Sequence, residues 1–110
     1  MHISTAQPTI VADSASLVVT EGSMVALMCT ATGDPDPVQS WSRNGSPLMT
    51  GGRYQISGNG SVLTVQQVNE AQDEGVFTCH ASNSAGSDSD TVTLSVQGIQ
   101  RQLYFLTMLQ

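Results

Sequence analysis

The stretch Asp73-Glu74-Gly75-Val76-Phe77-Thr78-Cys79-His80-Ala81-Ser82-Asn83-Ser84-Ala85-Gly86 decides how the rest of the chain is read. Phe77, Cys79 and Ala81 alternate with Val76, Thr78 and His80, the period of a strand with one buried face. Gly75 would let the chain enter that strand through a tight corner, where a Cβ could clash. Asn83 to Gly86 reads as a hairpin. Upstream, Val25, Leu27, Cys29 and Ala31 alternate with Ala26, Met28 and Thr30, and the pattern returns at Leu63 and Val65 and at Val92, Leu94 and Val96. Both cysteines therefore fall on core-facing positions of separate strands. Between the runs lie turn clusters: Glu21-Gly22, Gly33-Asp34-Pro35-Asp36-Pro37, Asn44-Gly45, Gly51-Gly52 and Gly58-Asn59-Gly60. Their spacing of roughly ten residues is that of a β-sandwich or barrel. Asn44-Gly45 tolerates positive φ at both central positions of a tight hairpin, so Trp41 and Leu48 are expected on paired strands. Helical spacing has no comparable support before residue 98.

Composition agrees. A chain of 110 residues is expected to be one domain. Hydrophobic residues make up 39% and charged residues only 11%, so Ser, Thr and Gly must supply most of the polar surface, a bias toward strands and turns. Nine acids against three arginines give a net charge of −6, and there is no lysine. Nucleic acid is thereby an improbable partner, because phosphate backbones are met with basic residues. The longest apolar-rich stretch, Leu103 to Leu109, falls far short of the roughly 20 residues that cross a bilayer, so no membrane insertion by this segment is expected. Met1 to Gln7 lacks the basic start and apolar run of a signal peptide, so either a leader has been removed or the chain is a fragment.

Catalytic chemistry finds no foothold. A nucleophile needs a base in reach and a group that orients the base. His2 and His80 are the only histidines, and His80 is out of phase with Cys79 and so faces outward. No G-x-S-x-G motif is present, and a phosphate-cradling loop lacks its lysine. No enzyme activity and no cofactor are expected. Asp34 with Asp36 and Asp88 with Asp90 are acidic pairs read as lying in loops, too few for the six to eight oxygen ligands of calcium, and they are taken as solvated turn residues. No metal is expected.

Cys29 and Cys79 stand 79 − 29 = 50 positions apart, too far for a CxxC redox pair and too few for a zinc site, which leaves one disulfide or two free thiols. A bridge closing such a loop stabilises by about 4 kcal/mol in the chain-entropy model. Two sequons, Asn44-Gly45-Ser46 and Asn59-Gly60-Ser61, are candidate glycosylation sites on a secretory route, with Pro47 weakening the first.

Trp41, twelve positions after Cys29, completes a Cys, Trp, Cys order, and a large ring there could pack against a buried bridge. Val19-Thr20-Glu21-Gly22-Ser23-Met24-Val25-Ala26-Leu27-Met28-Cys29 resembles the V-x-E-G-x-x-V-x-L-x-C opening of intermediate-set (I-set) immunoglobulin domains, and Gly33 to Pro37 resembles their G-x-P-x-P loop. Residues 73–86 are similar to their D-x-G-x-Y-x-C-x-A-x-N-x-x-G closing motif. The resemblance covers residues 8–97 and leaves a short extension, 1–7, and an apolar tail, 98–110. It implies an all-β, two-sheet antiparallel Greek-key sandwich with a Cys29–Cys79 disulfide packed on by Trp41, and, by analogy, a structural ion pair between Arg53 and Asp73. One position departs from the pattern. Phe77 stands where the family places the tyrosine of the tyrosine corner, so the end near residues 70–75 is expected to be less firmly held, and Phe77→Tyr to stabilise by roughly 0.5 to 1.5 kcal/mol.

The implied function is a non-catalytic protein-binding module, one domain of a cell-surface or extracellular adhesion protein or receptor, with homophilic or heterophilic protein partners. The alternative is a structural module of an intracellular muscle or cytoskeletal protein, where the cysteines stay reduced; a third reading is an accessory domain of a larger enzyme or receptor kinase. Candidate partner loops are Gly33 to Val38, with Asp34 and Asp36, and the acidic hairpin Asn83 to Asp90, with Asn83, Ser84 and Asp88. For the tail, with Ile99, Leu103, Leu106 and Leu109 on one helical face, two readings stand side by side: packing on another copy or on its own sandwich, or an alternative splice end or cloning remnant with no selected role.

Overall fold

The computed structural model describes residues 5–12 and 15–98, and the expectations for the tail from residue 99 onward and for residues 1–4 lie outside the described residues. The alternating runs form strands β1 (Ala6–Ala12), β2 (Ser16–Thr20), β3 (Val25–Asp34), β4 (Val38–Arg43), β5 (Ser46–Pro47), β6 (Tyr54–Ser57), β7 (Val62–Val65), β8 (Gly75–Asn83) and β9 (Gly86–Gln97). They make two sheets, a four-stranded one in the order β1-β3-β7-β6 and a five-stranded one in the order β2-β9-β8-β4-β5. Pairing is antiparallel except between β2 and β9, which run parallel. Among the described residues that pair is the one departure from an all-antiparallel sandwich.

The inward phase of each strand meets the other sheet. Leu27 and Cys29 of β3 and Leu63 and Val65 of β7 are buried against Trp41 of β4, Phe77, Cys79 and Ala81 of β8 and Val92, Leu94 and Val96 of β9. A fully buried side chain of this kind stabilises by about 1.5–3 kcal/mol, and the contiguous cluster holds the sheets together. Asn44 (φ 48°) and Gly45 (φ 86°) form the β4–β5 turn, and the Leu48 N–H donates to the Trp41 carbonyl at 2.9 Å.

Two elements differ from the periodicity. A single helical turn, α1 (Glu70–Asp73), follows β7, its N-terminus capped by the Asn69 side chain, which accepts from the N–H groups of Ala71 (2.9 Å) and Gln72 (3.1 Å). One turn is too short to show a 3.6 period, and tertiary contacts stabilise it. The acidic segment read as a loop is strand: β8 runs to Asn83 and β9 starts at Gly86, so Asp88 and Asp90 lie within the β8–β9 ladder opposite Ala81 and Cys79.

Candidate functional site

At the centre, the sulfurs of Cys29 and Cys79 are bonded, with Cα atoms 6.6 Å apart, and tie β3 to β8 across the two sheets. Trp41 is directly opposite Cys79 on β4 and is buried beside the bridge. Its indole N–H donates to the Gly60 carbonyl at 2.8 Å, which satisfies the polar edge of the ring. Gln39 Nε2 donates to the Cys29 carbonyl at 3.0 Å.

One end of the sandwich is organised by Asp73, whose side chain is 0% exposed. Its carboxylate accepts from both terminal nitrogens of Arg53 (Nη2 to Oδ1 at 3.1 Å), from the Tyr54 hydroxyl at 2.8 Å and from the Asn69 N–H at 2.6 Å. Burial alone would raise its pKa, but the bonds from Arg53, Tyr54 and Asn69 outweigh burial and hold the carboxyl below the usual range. Burial and the bond to Asp73 raise the Tyr54 phenol, and the same carboxylate raises the Arg53 guanidinium. Nearby, Glu74 Oε2 accepts from the Val96 N–H at 2.9 Å, and Arg43 Nη2 donates to the Glu74 carbonyl. Asn44 exchanges bonds with Val76, its N–H donating to the Val76 carbonyl (2.8 Å) and its Oδ1 accepting from the Val76 N–H (2.9 Å). Phe77 brings no hydroxyl to this end, as its side chain dictates, but other groups bond there. The Phe77 ring is fully buried, and hydroxyl donation comes from Tyr54 instead.

The opposite end is organised by Asn83. Its Nδ2 donates to the carbonyls of Ala6 (2.8 Å) and Pro35 (2.9 Å), and its Oδ1 accepts from the N–H groups of Ala85 (2.9 Å) and Gly86 (3.1 Å). One amide thus joins β1, the 35–37 loop and the β8–β9 turn. Asp88 Oδ2 accepts from the Ile10 N–H at 2.9 Å, fixing β1 against β9. Asn83 and Asp88, expected as partner-loop residues, are engaged in holding the fold; Ser84, Asp34 and Asp36 stay exposed. The sequon residue Asn59 (φ 58°) is exposed in the 3-10 turn Gly58–Gly60.

What the loop-based reading missed is a sheet face. On β9 the outward positions are Ser87, Ser89, Thr91, Thr93 and Ser95; on β8 they are Val76, Thr78, His80 and Ser82; on β4 they include Val38 and Ser40. None is an acid, an arginine or a lysine. Registers align them in rows, Val38 with Ser82 and Ser87, then Ser40 with His80 and Ser89. Ser42 Oγ lies 3.3 Å from His80 Nε2 at the centre. The signal was present in the sequence as five hydroxyl residues at alternate positions from 87 to 95, and it is hidden if residues 82–90 are taken for a loop.

The profile of the immunoglobulin I-set domain matches residues 8–96. The chain belongs to the immunoglobulin I-set family. This I-set chain is 38% identical over 81 residues to human hemicentin-1, covering 74% of this chain and 1% of that protein. It is 41% identical over 85 residues to the human leucine-rich repeat and immunoglobulin-like domain-containing nogo receptor-interacting protein 2, covering 74% of this chain and 14% of that one. The chain thus spans a small part of the relatives it matches. Among solved structures it is similar to titin domain M7, with a TM-score of 0.80 and 30% identity over 87% of this chain and 99% of that one. Titin domain M7 thus shares its sandwich.

Proposed function

We propose that this domain is a non-catalytic protein-binding module of an extracellular or cell-surface protein. The observation that carries the reading is the outward face of β4, β8 and β9, which bears hydroxyls, valines and one histidine but no formal charge, in a chain whose net charge is −6. Such a face is inexpensive to desolvate compared with a charged one, and its hydroxyls donate and accept alike. It suits a partner whose contacting surface is itself uncharged and hydrogen-bonding. The bridged pair Cys29–Cys79 and the two sequons favour an oxidising compartment. The relative named as interacting with the nogo receptor is in keeping with a recognition role.

The test is binding of the multimerised domain to a panel of extracellular domains that includes itself, with Thr91→Arg placed on the face and Thr30→Arg on the outer side of the other sheet. Binding that Thr91→Arg abolishes and Thr30→Arg spares supports the reading. Binding equally insensitive to both contradicts it.

A further inference from the structure

We propose that Asn59, and not Asn44, carries an N-linked glycan, an inference that rests on the extracellular reading above. Both residues open an N-G-S sequon, so the tripeptides alone do not separate them. Their surroundings do. Asn44 is engaged through its amide oxygen: Oδ1 accepts from the Val76 N–H, and Nδ2 and Oδ1 each lie 2.7 Å from the place where a Cβ on Gly75 would stand. The amide therefore occupies the place a Gly75 side chain would take and is held there by its bond to Val76. Pro47 follows that sequon directly.

Asn59, exposed as Asn44 is, makes no hydrogen bond among the described residues and is flanked by Gly58 and Gly60, which carry no side chains to crowd it. The turn beneath it is firmly seated. Gly60 is packed so closely on Gln39 that an added Cβ would come within 2.6 Å of the Gln39 carbonyl oxygen, and the Gly60 carbonyl holds the Trp41 indole. Ser61 Oγ and N–H both donate to the Gly58 carbonyl, at 2.8 and 3.1 Å. The native fold thus leaves Asn59 exposed and its amide without a hydrogen-bond partner among the described residues, so a glycan attached before folding displaces no bond of the turn. In the transfer, Asn59 Nδ2 forms a bond to the anomeric carbon of a lipid-diphosphate-linked oligosaccharide. The anomeric C–O bond breaks, the diphosphate leaves with its electron pair, and one Nδ2 proton passes to a base of the transferase. The glycan would stand on the turn between β6 and β7 of the four-stranded sheet, whereas the hydroxyl row of β9 lies on the other sheet.

The experiment is to secrete the full chain from mammalian cells behind a cleavable signal and compare intact mass before and after peptide-N-glycosidase. Asn59→Asp, which keeps a residue tolerant of positive φ, and Asn44→Asp are the variants, with thermal melts to show that both fold. The expected result is one glycan, lost completely in Asn59→Asp and retained in Asn44→Asp, with enzymatic conversion of asparagine to aspartate only at position 59. A glycan on Asn44, or secreted chain unmodified at Asn59, overturns the proposal. The added signal enforces the secretory route, so such failure leaves the extracellular reading standing. Free thiols in protein from its native source would overturn that reading and leave the acceptor site standing.

Discussion

The two ends of the sandwich are tied by different chemistry. At one, a buried carboxylate, Asp73, gathers a guanidinium, a phenol and a backbone N–H; at the other, a neutral amide, Asn83, gathers two carbonyls and two N–H groups. A carboxylate only accepts, so it needs donors, and its charge must be met by another; an amide donates and accepts, and so can join three backbone segments without any charge. The first knot is therefore stronger and sensitive to acid, and the second is weaker and indifferent to it.

Removing each organiser breaks the comparison most directly. Asp73→Ala is expected to destabilise by about 3 kcal/mol, because it strands the partly buried Arg53 and the Tyr54 hydroxyl together. For a domain of this size that lowers Tm by more than about 12 °C in a thermal melt. Asn83→Ala is expected to cost about 2 kcal/mol by denaturant titration, since its lost partners are nearer to water. Tyr54→Phe deletes one bond to the carboxylate and leaves the ion pair, at about 1 kcal/mol on the same titration.

Acid sharpens the contrast. The folded-state pKa of Asp73 lies below its unfolded value, so its contribution is complete above the unfolded pKa of about 3.9 and is lost as pH falls through the folded pKa. Chemical denaturation followed from neutral pH down into that range should show Asn83→Ala keeping the acid slope of the parent and Asp73→Asn flattening it. Equal slopes in all three would mean that other carboxyls carry the acid response.

Much of the fold was legible in the sequence because its signals are local. Period-two alternation located the strands around Cys29 and Cys79, and Asn44-Gly45 fixed the β4–β5 register. The functions of Asn83 and Asp88 were not legible, because their partners, Ala6, Pro35 and Ile10, are far away in sequence and are backbone groups that leave no compositional mark. A polar residue in a turn looks the same whether it is waiting for a partner or already bonded. Tyr54 escaped for a related reason: the tyrosine position before Cys79 drew attention, whereas the hydroxyl that meets Asp73 comes from β6. Hydroxyls at every second position from 87 to 95 did carry the outward face of β9, and they were obscured only by taking a serine- and aspartate-rich run for a loop.

The most direct test of the account as an extracellular module is the oxidation state of Cys29 and Cys79 in protein from its native source, by thiol labelling of the denatured chain with intact-mass analysis. The account predicts no label until reductant is added and two labels afterwards. Two labels without reductant would contradict it and move the search for partners inside the cell.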